Sequence, residues 1–307
     1  MADRAVRFGF GIPQVVDASH FDVASLRSML MATEELGFHS AWIMDQPLTT
    51  APALEPITTL GYAVAVTTSV RLGTAVVLTA LRQPVQLAME LATLDQLSGG
   101  RVIVGVGLGD RTNYYPSFGI SASHRVERFM EGLELLKRLW TEESVTFTSR
   151  FWHLEGLTTL PKPVQRPHPP IWFGGRSKAA IERAVRNGDG WIGAGISTVD
   201  DFKEEASVVR ASLDAMGRDP ATFTVAKRLY IAVSPDRERS LERVRAWSKV
   251  FYGDTTMADQ AAVVGHLDFC MQRLSELRDS GADVVVLNPV YDVLEQMQLL
   301  AGALSAF

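Results

Sequence analysis

Cysteine is almost absent. Cys270 is the single one in 307 residues, which excludes an internal disulfide and a multi-thiolate metal site. It lies in Val264–Leu277, a stretch with helical apolar spacing, so a buried structural thiol is expected. There is also no block of cations. Lys and Arg number 30 against 35 Asp and Glu, for a formal charge of −5, which argues against a nucleic-acid partner or an anionic membrane surface. No apolar run approaches the ~20 residues of a membrane helix and no leader-like segment opens the chain, so a cytoplasmic protein acting on a small-molecule substrate is expected. The six histidines form no HxH or HExxH pair and have no carboxylates at ligand spacing, which disfavours a metal-dependent hydrolase. What is plentiful is core material. Hydrophobic residues make up 47% and charged ones 21%, enough for one large folded domain over residues 1–307.

The chain is organised around Leu94–Asp110. Leu87, Leu91, Leu94 and Leu97 recur at helical spacing, and Gly99-Gly100 stops that helix as a left-handed cap. Arg101–Val106 follows with almost no polar alternation, as in a parallel strand covered on both faces. Gly105, Gly107 and Gly109 leave room at its C-terminal edge for a flat ligand or for another stretch of backbone. Similar runs recur at Val6–Ile12, Ser40–Asp45, Val70–Leu78, Pro170–Phe173, Gly190–Ala194, Phe223–Val233 and Val284–Leu287. Helical patterns separate them, among them Phe21–Leu36, Pro56–Thr68 and one starting at Pro84. Eight βα units predict an α/β fold, a single (β/α)8 TIM barrel. A doubly wound sheet is disfavoured, because Asp110 stands where a nucleotide fingerprint needs glycine or alanine.

One insertion, at about 111–169, follows the fourth strand. It contains a helix over Ser123–Trp140, with Val126, Phe129, Leu133, Leu136, Leu139 and Trp140 inward, and a hairpin over Val145–Leu154. The proline-rich Lys162–Pro170 must run extended. A second irregular stretch, Tyr252–Ala261, could act as a lid.

Two clusters could carry chemistry. In Gly174-Gly175-Arg176-Ser177 a strand feeds a glycine pair, a cation and a hydroxyl at a helix start. That is either an anion site on free amides or an ordinary turn with Ser177 as N-cap. Asp110, just past a strand end and flanked by Leu108, Tyr114 and Tyr115, is either a carboxylic acid raised by burial or a loop carboxylate. Arg125 and Arg128 read as solvated or salt-bridged, and His124 is the one histidine to watch.

The helix end Leu94-Asp95-Gln96-Leu97-Ser98-Gly99-Gly100-Arg101, the apolar strand and the Gly105-Val106-Gly107-Leu108-Gly109 turn resemble the bacterial luciferase-like monooxygenase superfamily, particularly its deazaflavin (coenzyme F420) dependent branch. The similarity runs from Phe8 to the last helix. It implies a cofactor phosphate on Gly174, Gly175, Arg176 and Ser177, and a ring near Asp45, Gln46, Ala75, Val76 and Asn113. A cis peptide at Ala75–Val76 and a catalytic acid at Asp110 are implied in the same way. This branch often carries histidine where Gln46 stands, and an amide can donate a hydrogen bond but cannot exchange a proton near neutral pH. The implied activity is an F420-dependent oxidoreductase moving a hydride between the deazaflavin and a small organic substrate, and, since members of the family are commonly dimers, a homodimer is implied as well. The alternatives are an FMN-dependent monooxygenase served by a separate flavin reductase, and a non-catalytic flavin-binding protein.

Overall fold

The structure, a computed structural model, describes residues 5–14, 22–47, 52–109, 112–305 and 307. Eight parallel strands close a barrel among them. In chain order they are β1 (Arg7–Gly11), β2 (Ser40–Ile43), β3 (Arg71–Thr74) and β4 (Val102–Val106), then, beyond a hairpin of β5 (Val145–Thr148) and β6 (His153–Leu157), β7 (Ile171–Gly174), β8 (Gly190–Gly193), β9 (Thr224–Val233) and, past the short β10 (Val263–Gly265), β11 (Val284–Asn288). The order β9-β11-β1-β2-β3-β4-β7-β8 is closed by the β8–β9 pairing. The eight predicted strands are therefore the eight barrel strands. Parallel neighbours require crossovers, and these contain α1 (Val23–Glu35), α2 (Pro56–Val66), α3 (Pro84–Ser98), α4 (Arg125–Thr141), α5 (Lys178–Asn187), α6 (Val199–Ala215), α7 (Arg237–Tyr252) and α8 (Leu267–Asp279), while α9 (Val293–Leu304) follows the last strand.

Large rings plug the barrel where neighbouring strands give up side chains. Trp42 and Trp172 meet at 5.1 Å inside it, with Ile103, Ile192 and Val286 packed around them. A Cβ on Gly73 would come within 2.5 Å of the Trp42 ring, so glycine there is a packing requirement. Outside, the main core lies between sheet and helices.

The opening motif is structural. Gly99, at φ 67°, caps α3 in the left-handed region. Asp95 is fully buried and accepts from the Gln165 backbone N–H (2.9 Å) and Nε2 (2.7 Å), tying the proline-rich segment under the barrel. Arg101 donates to Ser98 O, Thr67 Oγ1 and Val70 O, at the N-terminal end of β4.

Several expectations need correction. Val126, expected inward, is 38% exposed, because a three- or four-residue spacing does not by itself say where the apolar stripe ends; Leu97, in the last turn of α3, is 69% exposed for the same reason. Val264–Leu277 is not all helix: Val263–Gly265 pairs as β10 with the upper half of β9, and α8 begins at Leu267. Cys270 is buried in α8, and burial pushes its thiol up to about 11. The stretch expected to be irregular is ordered, since Tyr252 ends α7 and Met257–Ala261 forms a π-helical turn with Met257, Ala258 and Ala261 buried. Within 111–169, α4 packs along α3, with Trp140 Nε1 on Ala88 O at 2.9 Å, and so takes the place of the fourth barrel helix. The hairpin has no such counterpart. Phe21 lies outside the described residues.

Gly105 in β4 and Gly132 in α4 make a paired test. A Cβ on Gly105 would lie 1.8 Å from the Thr74 carbonyl oxygen, whereas one on Gly132 meets nothing within 4 Å. Gly105→Ala is expected to lower the unfolding free energy by about 3 kcal/mol through overpacking. Gly132→Ala should raise it by about 0.5–1 kcal/mol by removing helix-interior glycine. Urea unfolding of both variants checks the pair.

Candidate active site

A cavity of about 420 Å³ opens at the C-terminal ends of the barrel strands. That is the end where barrel enzymes draw their functional groups from strand-to-helix loops. Its wall between β2 and β4 is built from close backbone approaches. The Ala75–Val76 peptide is cis. The Val76 side chain fills the space that Gly107 and Gly174 leave, since a Cβ on either would lie 2.5 or 3.0 Å from its methyl groups. The glycines after β4 thus admit protein as well as opening onto the cavity.

Asp45 lines this wall and is 9% exposed. It accepts from Leu78 N (3.0 Å), Arg82 Nε (3.2 Å) and Arg82 Nη2 (3.0 Å), and Arg82 also reaches Glu55 at 2.8 Å. A carboxylate engaged by three donors anchors the loops after β2 and β3 to one another. Gln46, Ala75 and Val76 line the cavity beside it. Tyr114 and Tyr115, buried on the helical turn Thr112–Phe118, line it too, and the Tyr115 hydroxyl donates to Leu108 O at 3.1 Å. Burial raises the Tyr115 phenol. Asn113, on the same turn, is exposed and is not part of the lining. Asp110 lies outside the described residues, directly after Gly109, which does line the cavity.

At the β7–α5 end, Gly174, Gly175 and Arg176 line the cavity. Gly175 sits at φ 145°, where a Cβ would lie 2.7 Å from the Ala180 methyl. The Ser177 hydroxyl accepts from Ala180 N, so it is the N-cap of α5, and the helix keeps further N-terminal amides without intrahelical partners. The N-cap reading of this run is therefore met. Arg176 Nε pairs with Glu205 at 3.2 Å, and its Nη2 with Asp201 at 3.4 Å. Arg125 and Arg183 also line the cavity, and neither pairs with a carboxylate among the described residues. The Arg125 Nη1 is buried with no hydrogen-bond partner, and burial pulls Arg183 below its ordinary range. Among the described residues neither Arg125 nor Arg128 has the salt bridge that was one of the two expected roles: Arg128, half-buried, donates to Ala80 O and stacks 4.3 Å over Trp152. His124 is exposed beside Glu127 and Arg150, away from the lining.

Strand β9 contributes groups that the sequence reading passed over. Lys227 points outward, fully buried, and donates to Ala194 O, Ser197 O (2.7 Å) and Ser197 Oγ (2.8 Å). Burial pulls its amine down to about 7, against the pull of the Glu205 carboxylate. It pins the loop of Ala194, Gly195 and Ile196, which forms part of the cavity wall. Arg228 points inward, 8% exposed, and Tyr252 closes the same corner. The signal that could have found them is two adjacent cations in an otherwise apolar strand, where burial of charge demands a reason.

Comparison with known proteins adds relatives to this geometry. The family model for luciferase-like monooxygenase matches residues 6–258. An F420-dependent glucose-6-phosphate dehydrogenase from Kineococcus radiotolerans is 31% identical over 240 residues, covering 75% of this chain and 70% of the relative. An FMNH(2)-dependent dimethylsulfone monooxygenase from Pseudomonas putida is 35% identical over 137 residues, 44% of this chain and 38% of its own. The crystal structure of monooxygenase RslO1 from Streptomyces bottropensis superposes with TM-score 0.84 at 26% identity, covering 98% of this chain and 99% of that one.

The Asp45 geometry separates an anchor from an acid. Asp45→Asn leaves the Arg82 charge half-compensated and should cost about 2–3 kcal/mol of stability. Gln46→Ala, on the same wall, should cost less than about 1 kcal/mol. Equal losses in urea unfolding would remove the anchoring role.

Proposed function

Because this chain belongs to the luciferase-like monooxygenase family and is an oxidoreductase, we propose that it is F420-dependent and exchanges a hydride between the deazaflavin and a small organic substrate. The observation that carries this reading is the set of unpaired cations that lines the cavity together with the β7–α5 turn. Gly174, Gly175 and Arg176 line the cavity immediately before the N-terminus of α5, forming the cradle, and Arg125 and Arg183 line it as well without carboxylate partners among the described residues. A cofactor phosphate fits that donor set, because helix-terminal amides and guanidinium groups both favour an anion. The F420-dependent relative, matched over three quarters of this chain, supports the deazaflavin over FMN.

When bound, the deazaflavin supplies two-electron hydride exchange from its ring. The chain's own residues do the rest. Arg125, Arg183 and the amides from Gly175 to Ser177 hold the phosphate, and Arg176 keeps the turn in place through Glu205 and Asp201. Ala75 and Val76 back one face of the ring, with Asp45 fixing that wall through Leu78 and Arg82. Gln46 can donate a hydrogen bond to a ring or substrate carbonyl. Tyr114, Tyr115 and Phe129 exclude water. Asp110, next to the cavity in sequence, is assigned the proton transfer, and Asn113, being exposed, is given no contact with the ring.

Difference absorption on titrating the apo-protein with F420 and, separately, FMN tests the cofactor. F420 should bind at least about tenfold more tightly, and Arg183→Gln should weaken it by about tenfold, the scale of a charge-assisted hydrogen bond, with little change in melting temperature. Tighter FMN binding would instead favour a monooxygenase that needs a separate reductase. With F420 bound and a substrate turning over, Asp110→Asn should slow turnover by about 10²-fold at nearly unchanged cofactor affinity. Intact turnover would return Asp110 to a loop carboxylate.

A further inference from the structure

Arg228 has the burial of a core residue and the charge of a surface one. Its partner across the sheet is Val286, which packs inside the barrel, and Ala226, two residues earlier, does the same, so the alternation of a strand aims Arg228 at the barrel axis. It lines the cavity floor at 8% exposure. Nε donates to Asn288 Oδ1 at 3.3 Å and Nη2 to the Tyr230 hydroxyl, while the guanidinium lies 4.8 Å over the Tyr230 ring. Gly11 makes way for this arrangement, since a Cβ there would fall 1.8 Å from Asn288 Oδ1. Every one of these partners is neutral. No carboxylate among the described residues pairs with Arg228, and the one carboxylate in the described lining, Asp45, is committed to Arg82. Neutral acceptors orient a buried guanidinium but leave its charge uncompensated, and such a charge is costly unless a counter-anion arrives.

The place of Arg228 in the barrel says what brings that anion. Four steps around the closed sheet separate β3 from β9, through β4, β7 and β8, so Arg228 stands diametrically opposite Ala75 and Val76, which follow β3. The phosphate cradle belongs to yet another side, at β7 and α5. A ring backed by Ala75–Val76 with its phosphate at that cradle leaves the β9 side to the substrate. Resting on that reading of the cavity, we propose that Arg228 is the substrate-recognition residue and that the substrate carries a carboxylate. Such a group can take the Nη1–Nη2 edge, since Nη1 meets no acceptor among the described residues and the two nitrogens match a carboxylate in a bidentate pair. Tyr230 and Asn288 hold the guanidinium in register for it, both on rigid barrel strands.

The test uses the cofactor-loaded protein with benzoate and the neutral isostere benzamide as probes, read by the change in ring absorbance and in tryptophan fluorescence. Benzoate is expected to bind at least about tenfold more tightly than benzamide. Arg228→Gln should abolish that preference while cofactor affinity moves by less than about threefold, and Arg228→Lys, which keeps the charge, should retain part of it. Should Arg228→Gln fail to fold, the wild-type preference and the lysine variant still decide. Equal binding of both probes, or no benzoate binding, overturns the proposal. So does a loss of cofactor affinity as large as the loss of benzoate affinity, which would assign Arg228 to the ring. Failure of the protein to bind either F420 or FMN is a different result, and it sinks the underlying reading of the cavity instead.

Discussion

The carbonyl oxygen of Thr74 occupies the space where a side chain on Gly105 would be, and the architecture of the cavity depends on that contact. Thr74 also donates its hydroxyl to Gly105 O at 2.7 Å, so β3 and β4 meet backbone to backbone at their upper ends. The chain beyond Thr74 can then cross toward β4, where Val77 N reaches Gly105 O and Gly107 N returns to Val77 O. Val76 is thereby delivered to the space beside Gly107 and Gly174. Side chains on these glycines would displace Val76 and with it the wall between the β2 loop and the β7 turn.

Electrostatics divide the cavity in a second way. Carboxylates near it are already engaged: Asp45 by Arg82 and the Leu78 amide, and Glu205 and Asp201 by Arg176. Lys227, buried behind the wall, uses backbone and hydroxyl oxygens of the Ala194–Ser197 loop as acceptors. Of the four cations that line the cavity, Arg176 is paired, and Arg125, Arg183 and Arg228 have been left without acids among the described residues. The same residue type therefore does two jobs, with paired arginines fixing loops and unpaired ones making the cavity attractive to anions.

The most recognisable stretch of the chain acts far from the chemistry. Asp95, Ser98, Gly99 and Arg101 close α3, start β4 and hold the Gln165 segment, all at the N-terminal end of the barrel. Conversely, Arg228, Tyr230 and Asn288 have no motif around them. They come from strands that pair only once the barrel has closed.

The sequence by itself determined what depends on near neighbours. Apolar runs marked all eight barrel strands, Gly99 marked the end of α3, and Ser177 marked the start of α5, because strand burial, left-handed caps and N-caps are satisfied within a few residues. Asp45, Gln46, Ala75, Val76 and the Gly174–Arg176 turn were pointed to by the family resemblance, and they line the cavity because they follow strand ends, which a closed parallel barrel gathers on one face. Tertiary structure alone decided the rest. Leu97 and Val126 turned out exposed, Val263–Gly265 paired with the overhang of β9, Asn113 stayed exposed outside the cavity lining, and Arg125 and Arg228 ended without acids beside them among the described residues. Each of those outcomes depends on what a distant segment places alongside, and neither periodicity nor local propensity carries that information.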